Sequence, residues 1–216
     1  MRSPAQPIPL FLTFEPKITD ISMPHPEFSE QEQIRRRSLE EIRNLGFDPY
    51  PPETFPVSHT ALQVKSVFEK DEDALQNISL AGRIMSRRIM GSASFAEIQD
   101  SSGRIQVYIR RDNICPGEDK TLYNTIFKKL LDIGDIIGVR GFAFKTQVGE
   151  ISIHVQGLTL LSKSIRPLPV VKEKEGKVYD AVTDHEYRYR QRYVDLIVNP
   201  ATRDLFRKRT KIYDSL

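Results

Sequence analysis

The chain has 216 residues, which suits one full domain with appended segments or two small domains. Hydrophobic residues make up 39% and charged residues 28%, and the net charge of +3 is too small to indicate a partner by itself. The single cysteine, Cys115, excludes an intramolecular disulfide framework and favours a reducing, cytoplasmic location. Because no stretch approaches the ~18 apolar residues of a membrane span, we expect no membrane partner.

The first 28 residues are predicted to be a disordered tail. Six of the 14 prolines fall there, and proline interrupts both helices and strands. Arg2 ahead of the apolar run 8–12 gives a weak likeness to a signal peptide. The prolines break that run, however, and no small-residue cleavage site follows it, so we do not expect a signal peptide.

Residues 29–76 are predicted to form a helical segment. Ser29 and Glu32 have the spacing of a capping box, and Gly46 supplies the stop signal of the first helix. The apolar stripe of that helix is Ile34, Leu39, Ile42 and Leu45. Its arginines (Arg35, Arg36, Arg37 and Arg43) are either solvated or face RNA, and the sequence leaves both interpretations open. A proline-rich link leads to a second helix over about residues 60–68.

Residues 77–163 have the period-two alternation of β-strands. The clearest case places Ile105, Val107 and Ile109 on one face, with Arg104, Gln106, Tyr108 and Arg110 on the other. One stretch over residues 122–131 instead has helical spacing. Further strands are predicted over 136–144 and from Ile151, with a change of parity at Gly157 that indicates a β-bulge.

The order of elements is strand, strand, strand, helix, strand, strand. This is the order of the OB-fold, a five-stranded Greek-key barrel, and we prefer it to a generic barrel or a sandwich fragment. The predicted fold class is mainly β with helical flanks (α+β). Residues 164–184 are predicted to be a solvated linker, and residues 185–216 a helical C-terminal segment.

Catalytic signatures are missing from the sequence. It has no phosphate-binding loop, no glycine fingerprint for dinucleotides and no zinc-protease motif. One cysteine and four scattered histidines have no metal-ligand spacing, and His154 is interpreted as a satisfied surface residue rather than a general base. These residues predict a binding module without a cofactor.

A nucleic-acid-binding face can be located from the alternation. In an OB-fold the face of strands two and three, with its flanking loops, receives single strands. Phe95 stands on that face, where an aromatic ring stacks on a base, and Arg104 and Gln106 on the next strand are candidate contacts to bases or phosphates. Residues 83–111 hold six arginines and two carboxylates, and we expect Arg83, Arg87 and Arg88 to add attraction for phosphates. The alternative is that Phe95 packs under a loop and the arginines only improve solubility.

A set of short motifs resembles the anticodon-binding part of bacterial class II lysyl-tRNA synthetases. The motifs include Gly82–Gly91, Ser94–Phe95, Gln99–Asp100, Gly103–Gln106, Gly134–Gly138, Gly149–Ser152, Ser164–Pro169 and Tyr189–Leu196. Each motif is weak alone, but together they run in register from about residue 32 to residue 209. The resemblance implies that Phe95 stacks on an anticodon base, that Gln106 and Arg88 bind the central uridine, and that Glu150 helps to read a neighbouring base.

The resemblance also implies a parent enzyme that joins lysine to tRNA(Lys) with ATP and Mg²⁺ and works as a homodimer. The chain is expected to be truncated near the start of the class II catalytic domain. By itself it would then be inactive, without ATP and lysine sites, and mostly monomeric. Two rival interpretations stay open: a free-standing OB-fold RNA-binding module, and a fragment of an aspartyl or asparaginyl synthetase, which the string at 188–193 disfavours.

Overall fold

The structure is a computed structural model that describes residues 28–169, 172–174, 177–179 and 184–215. The predicted disordered tail therefore lies outside the described residues, except for Phe28, and so does Leu216. Among the described helices, none combines the length and the apolar character that a bilayer crossing requires.

Helix α1 (Glu30–Asn44) begins at the predicted capping box. Ser29 accepts a hydrogen bond from the Glu32 backbone N–H, and the Glu32 carboxylate accepts one from the Ser29 N–H. Gly46 has φ +82°, a left-handed conformation that suits glycine and ends the helix.

The apolar stripe predicted for α1 is only half right. Leu39 and Ile42 are buried, but Ile34 and Leu45 are each 39% exposed, and Arg35 is buried instead. The Arg35 guanidinium donates to the carbonyls of Ile133, Ser164 and Arg166 at 3.0–3.3 Å. Hydrophobic periodicity missed this contact because the surface that α1 covers here consists of backbone acceptors, which an arginine satisfies and an isoleucine does not.

Helix α2 (Ala61–Phe68) is attached to the barrel through its first turn. Thr60 caps it in a second capping box, and the Ala61 N–H donates to the Asp100 carboxylate at 2.6 Å. Burial alone would raise the pKa of Asp100. The hydrogen bonds from Ala61, Gly103 and Ser102 outweigh burial and lower it. The turn between the second and third strands thus fixes the position of α2.

Five strands form a closed barrel in the order β1-β2-β3-β5-β4. Every neighbouring pair is antiparallel except β3 and β5, which are parallel, as in an OB-fold. The predicted fold class is therefore confirmed. The strands are β1 (Ile78–Met90), β2 (Ala93–Gln99), β3 (Arg104–Arg110), β4 (Ile136–Lys145) and β5 (Ile151–Ser162).

Closure depends on the length and bending of β1. Residues 78–83 of this strand pair with β4, and residues 83–90 pair with β2. The register shifts between Ile84 and Ser86, and a bulge there lets one strand turn between two neighbours. The bulge predicted at Gly157 is confirmed by a second shift, where Arg140 faces Gly157 and Gly141 faces Val155. Gly141 cannot be replaced cheaply, because an added Cβ would collide with the His154 carbonyl.

The core is the barrel interior, closed at one end by helical residues. The inward side chains of all five strands are buried, including the predicted Ile105, Val107 and Ile109. A short helix α3 (Arg111–Ile114) follows β3, and the predicted helical stretch forms a π-helix at Leu122–Leu130. Its fully buried Tyr123 lies 2.8 Å from the Ser94 hydroxyl, so the one polar atom of that ring has a partner.

A buried ion cluster joins the barrel to the segment that follows it. The Lys163 ammonium donates to Asp132 at 2.6 Å and to Asp135 at 3.0 Å, and the side chains of Lys163 and Asp135 are fully buried. Burial raises the pKa of Asp135, while Lys163 and the backbone N–H groups of Asp132 and Ser164 oppose that shift.

The predicted linker contains a small two-stranded ladder, β6 (Lys172–Lys174) and β7 (Lys177–Tyr179). The C-terminal segment is helical, as predicted, with α4 (His185–Arg190), α5 (Arg192–Val198) and α6 (Pro200–Asp214). The buried carboxylate of Asp195 in α5 holds these helices together, because it accepts from Arg188 of α4 at 3.1 Å and from Thr202 of α6 at 3.4 Å.

Lys163→Met should lower the free energy of unfolding by ~3–5 kcal/mol, because it leaves two acidic side chains without their buried cation. Urea denaturation at pH 7 measures the loss. Lys145→Met, at the exposed end of β4, is the matched control and should change stability by less than about 0.5 kcal/mol. Equal midpoints for the two variants would show that the ion cluster does not stabilise the fold.

Candidate nucleic-acid interface

The outer face of β2 and β3 carries three successive cross-strand pairs. Since side chains alternate along a strand, every second residue of each strand points away from the core. The pairing register sets these residues directly opposite one another. After the Ala93–Arg110 pair at one end of the face, the three pairs are Phe95 with Tyr108, Glu97 with Gln106, and Gln99 with Arg104.

A groove of about 820 Å³ lies over the first two of these pairs. Its floor contains Phe95, Tyr108 and Gln106. One wall is the end of β1, from Ser86 to Met90, and the other is the β4–β5 turn at residues 146–148. The groove is long enough for more than one nucleobase, since its floor spans two cross-strand pairs.

The floor is a continuous aromatic surface. The Phe95 ring centroid lies 5.0 Å from that of Tyr108, and Tyr108 stacks on His154 at 5.3 Å with an angle of 19° between the rings. Phe144 meets Tyr108 edge-on at 6.0 Å. Sequence reasoning put Tyr108 on the outer face but gave it no role. The aromatic residues of β4 and β5 carried no signal, because only barrel closure brings them beside β3.

The groove brings together four of the seven residues predicted to bind RNA, namely Phe95, Gln106, Arg87 and Arg88. Arg88 faces Phe95 across the β1–β2 pairing, and Gln106 faces Glu97 across β2–β3. Among the described residues, the polar ends of Arg88 and Gln106 have no hydrogen-bond or ion-pair partner. An aromatic ring and two unpaired polar side chains are therefore presented together to solvent.

Arg83 and Arg87 are engaged inside the molecule. Arg83 donates to the Gly134 carbonyl at 2.7 Å and lines a different cavity, between α1 and the C-terminal helices. Arg87 donates to the Phe127 carbonyl at 2.6 Å, although part of it still lines the groove. Burial lowers the pKa of both guanidinium groups, and nearby aspartates oppose the shift, so both stay charged at neutral pH.

Arg104 and Glu150 also have partners. Arg104 donates to Gln99 Oε1 at 2.9 Å and to Glu97 Oε2 at 3.2 Å. Glu150 follows the turn that forms one wall and lies 3.7 Å from Lys65, with both side chains well exposed. Such an exposed ion pair is weak and exchanges readily with a ligand.

The chemistry of this face is that of binding. In the part of the chain that the structure describes, no three or more His, Cys, Asp or Glu side chains are grouped so that they could hold a metal ion. The groove instead offers a ring for stacking, an amide with both donor and acceptor groups, and a net positive rim. These are the groups that receive unstacked bases of a single strand.

The central part of the chain is similar to a family of nucleic-acid-binding domains with this fold. Residues 78–161 match the tRNA anti-codon family, an OB-fold nucleic acid binding domain. That stretch contains all seven predicted site residues and the five barrel strands, apart from Ser162 at the end of β5.

The longer comparison extends beyond the barrel. The chain is 61% identical over 191 residues to a lysine–tRNA ligase of Porphyromonas gingivalis, which covers 88% of this chain and 33% of the relative. It is 59% identical over 188 residues to that of Azobacteroides pseudotrichonymphae (87% and 37%) and 56% identical over 191 residues to that of Christiangramia forsetii (88% and 33%). The chain thus spans about a third of the length of these relatives, and the resemblance to lysyl-tRNA synthetases is confirmed.

His154 lies on β5 beside the aromatic floor, where it is paired with Tyr108. Asn113 donates to its Nε2 at 3.2 Å, and its Nδ1 is buried without a hydrogen-bond partner. Burial lowers the pKa of His154, and the positive charge of Arg110 lowers it further. The folded protein therefore favours the neutral imidazole.

Folding stability should consequently fall as the pH drops below about 6.5, because the unfolded chain takes up a proton at His154 before the folded chain does. Above that pH both states are neutral and the effect vanishes. His154→Gln should make the unfolding free energy less dependent on pH between 7.5 and 5. His185→Gln, on the exposed first turn of α4, should keep the wild-type profile. Identical profiles for all three proteins would exclude this role.

Proposed function

We propose that this chain binds the anticodon loop of tRNA(Lys) in the groove over β2 and β3, as the anticodon-binding part of a lysine–tRNA ligase. One observation carries the proposal: Phe95 lies beside two unpaired polar side chains, Arg88 and Gln106, in a single open groove. The lysine–tRNA ligases to which the chain is similar support the choice of RNA.

In this proposal Phe95 stacks on one anticodon base, and Gln106 and Arg88 bind the edge of the central uridine. Uracil presents two carbonyl acceptors on either side of one N–H donor. A glutamine amide supplies one acceptor and two donors, and an arginine supplies donors only, so the two side chains together match that pattern. Cytosine presents an amino group and an unprotonated ring nitrogen in the corresponding positions, and fits the same pair poorly.

The other predicted residues have supporting roles in the proposal. Glu150, at the wall of the groove, exchanges Lys65 for a neighbouring base. Arg87 lines the groove and adds positive charge there, although its head group is held by Phe127. Arg83 and Arg104 are bound inside the molecule and therefore contribute to attraction over a distance more than to direct contact with phosphates.

The proposal extends to the parent enzyme. Lysine activation with ATP and Mg²⁺, transfer to tRNA and homodimer formation belong to a ligase of about three times this length. Because the chain matches about a third of the length of such a ligase, we assign the ATP and lysine sites to the remaining part of that enzyme. A cytoplasmic location is part of the same proposal, and the single cysteine agrees with it.

Phe95→Ala should weaken binding of any anticodon-like stem-loop by ~1–3 kcal/mol, because base stacking on an aromatic ring tolerates every base. Fluorescence titration measures the affinity, and a thermal melt checks that the variant is folded. Phe142→Ala is the matched control, since Phe142 is also a half-buried outer phenylalanine but does not line the groove. Unchanged affinity together with a much lower melting temperature for Phe95→Ala would place Phe95 in the core.

Gln106→Ala should weaken mainly the stem-loop with uridine at the centre, by ~0.5–1.5 kcal/mol, because it removes hydrogen bonds to a base edge. Stem-loops that differ only in the middle base should bind the variant with nearly equal affinity. Gln156→Ala, an exposed glutamine on β5, is the control and should retain wild-type discrimination. Equal weakening of all stem-loops by Gln106→Ala would contradict a base-reading role.

A further inference from the structure

Arg104 lies at the centre of a chain of contacts that leads from the groove to the C-terminal helices. Its guanidinium donates to two residues of β2, namely Glu97 at the edge of the groove and Gln99. Gln99 is buried, and its Nε2 donates to the Ile197 carbonyl of α5 at 3.0 Å. The amide of Gln99 is therefore used on both sides, once as acceptor and once as donor.

The Ile197 carbonyl is a group that needs such a partner. It belongs to the last turn of α5, where carbonyls lack an intrahelical donor. Pro200 begins α6 and has no N–H to offer to this turn. Gln99 thus satisfies an orphan carbonyl and at the same time holds α5 against the outer face of the barrel.

Glu97 would interfere with Gln106 if it were free. The two residues are directly opposite in the β2–β3 pairing, where Cβ atoms lie roughly 4.5–5.5 Å apart. An unpaired carboxylate at that distance accepts a hydrogen bond from the Gln106 amide, and its charge opposes the approach of RNA. Because the Arg104 guanidinium pairs with the Glu97 carboxylate at 3.2 Å, the Gln106 amide stays unpaired.

We propose that Arg104 is a positioning residue for base discrimination: it holds Glu97 away from Gln106, and its own position depends on Gln99 and so on the docking of α5. This inference rests on the proposed function, because it concerns the same base-reading pair. It predicts that selectivity for the middle base depends on contacts made by residues 184–215, which lie outside the groove.

A purely stabilising role does not account for this arrangement. The side chains of Arg104 and Glu97 are 39% and 37% exposed, and an ion pair that exposed contributes little to folding. Two of the five N–H donors of Arg104 are already committed to Gln99 and Glu97, one to each side chain. A phosphate role also predicts uniform weakening with a shallower dependence on salt, which differs from a loss of selectivity.

The test compares Arg104→Gln with Arg110→Gln. Both variants remove one positive charge from β3, but Arg110 is exposed and makes no contact with Glu97 or Gln99. Titration of stem-loops with uridine or cytidine at the centre gives a discrimination ratio. Arg104→Gln should lower this ratio by about fivefold or more, as expected for losing one well-placed hydrogen bond. Arg110→Gln should weaken both stem-loops alike and leave the ratio unchanged.

Glu97→Gln tests the cause of the effect. If Arg104 acts by holding a carboxylate, Arg104→Gln should lower the ratio much less in a Glu97→Gln background than in the wild type. Gln99→Leu, which removes the support of Arg104 and the contact with α5, should lower the ratio in the same direction as Arg104→Gln. Thermal melts of each variant ensure that affinities are compared per folded molecule.

The outcomes separate this inference from the proposed function. A wild-type chain that does not prefer the uridine stem-loop would overturn the proposed function. A wild-type preference that survives in Arg104→Gln, or a loss shared equally by Arg110→Gln, would overturn the positioning role alone. A wild-type discrimination ratio in Gln99→Leu would show that base selectivity does not depend on the docking of α5. Additive effects of Arg104→Gln and Glu97→Gln on the discrimination ratio would show that Arg104 does not act through the Glu97 carboxylate.

Discussion

The alternation of side chains along strands that close into a barrel is the constraint on which the rest depends. A closed barrel has one inner face and one outer face, so each strand must divide its residues between the core and the surface. On β2 and β3 this division places Ala96, Ile98 and Val107 in the core. The intervening residues then form three ordered pairs outside, and the groove is built over two of them. A register shift of one residue would exchange the core for the binding face.

The same constraint separates stability from binding. The core, the ion cluster of Lys163 and the carboxylate of Asp100 hold the barrel and its flanking helices together. Among the described residues of these groups, only Ala96 of the core lines the groove. Phe95 and Gln106 can therefore be specialised for a ligand without weakening the fold, because their neighbours in the core are supplied by the alternate positions of the same strands.

The arginines show how one residue type is put to different uses. Arg35 and Arg83 satisfy backbone carbonyls, Arg104 holds a carboxylate, and Arg88 stays unpaired at the groove. A guanidinium has five donors and no acceptor, so each unpaired carbonyl or carboxylate nearby competes with a ligand for it. Each guanidinium carries the same charge, but among these four only Arg88 has all of its donors free within the part of the chain that the structure describes.

The sequence alone determined the barrel and its outer face, and it indicated the class of ligand that we propose. Period-two alternation, the capping box at Ser29 and the parity change at Gly157 are local signals, and local geometry follows from them directly. The outward placement of Phe95, and with it the proposed stacking role, followed from the same alternation, and the motif set indicated the lysyl-tRNA synthetases. Only the tertiary structure decided which internal groups bind Arg35, Arg83 and Arg104. Their partners are distant in the chain or are backbone carbonyls, which have no side-chain signature in the sequence. The meeting of Tyr108 with His154 likewise required the parallel pairing of β3 with β5, which no local pattern encodes.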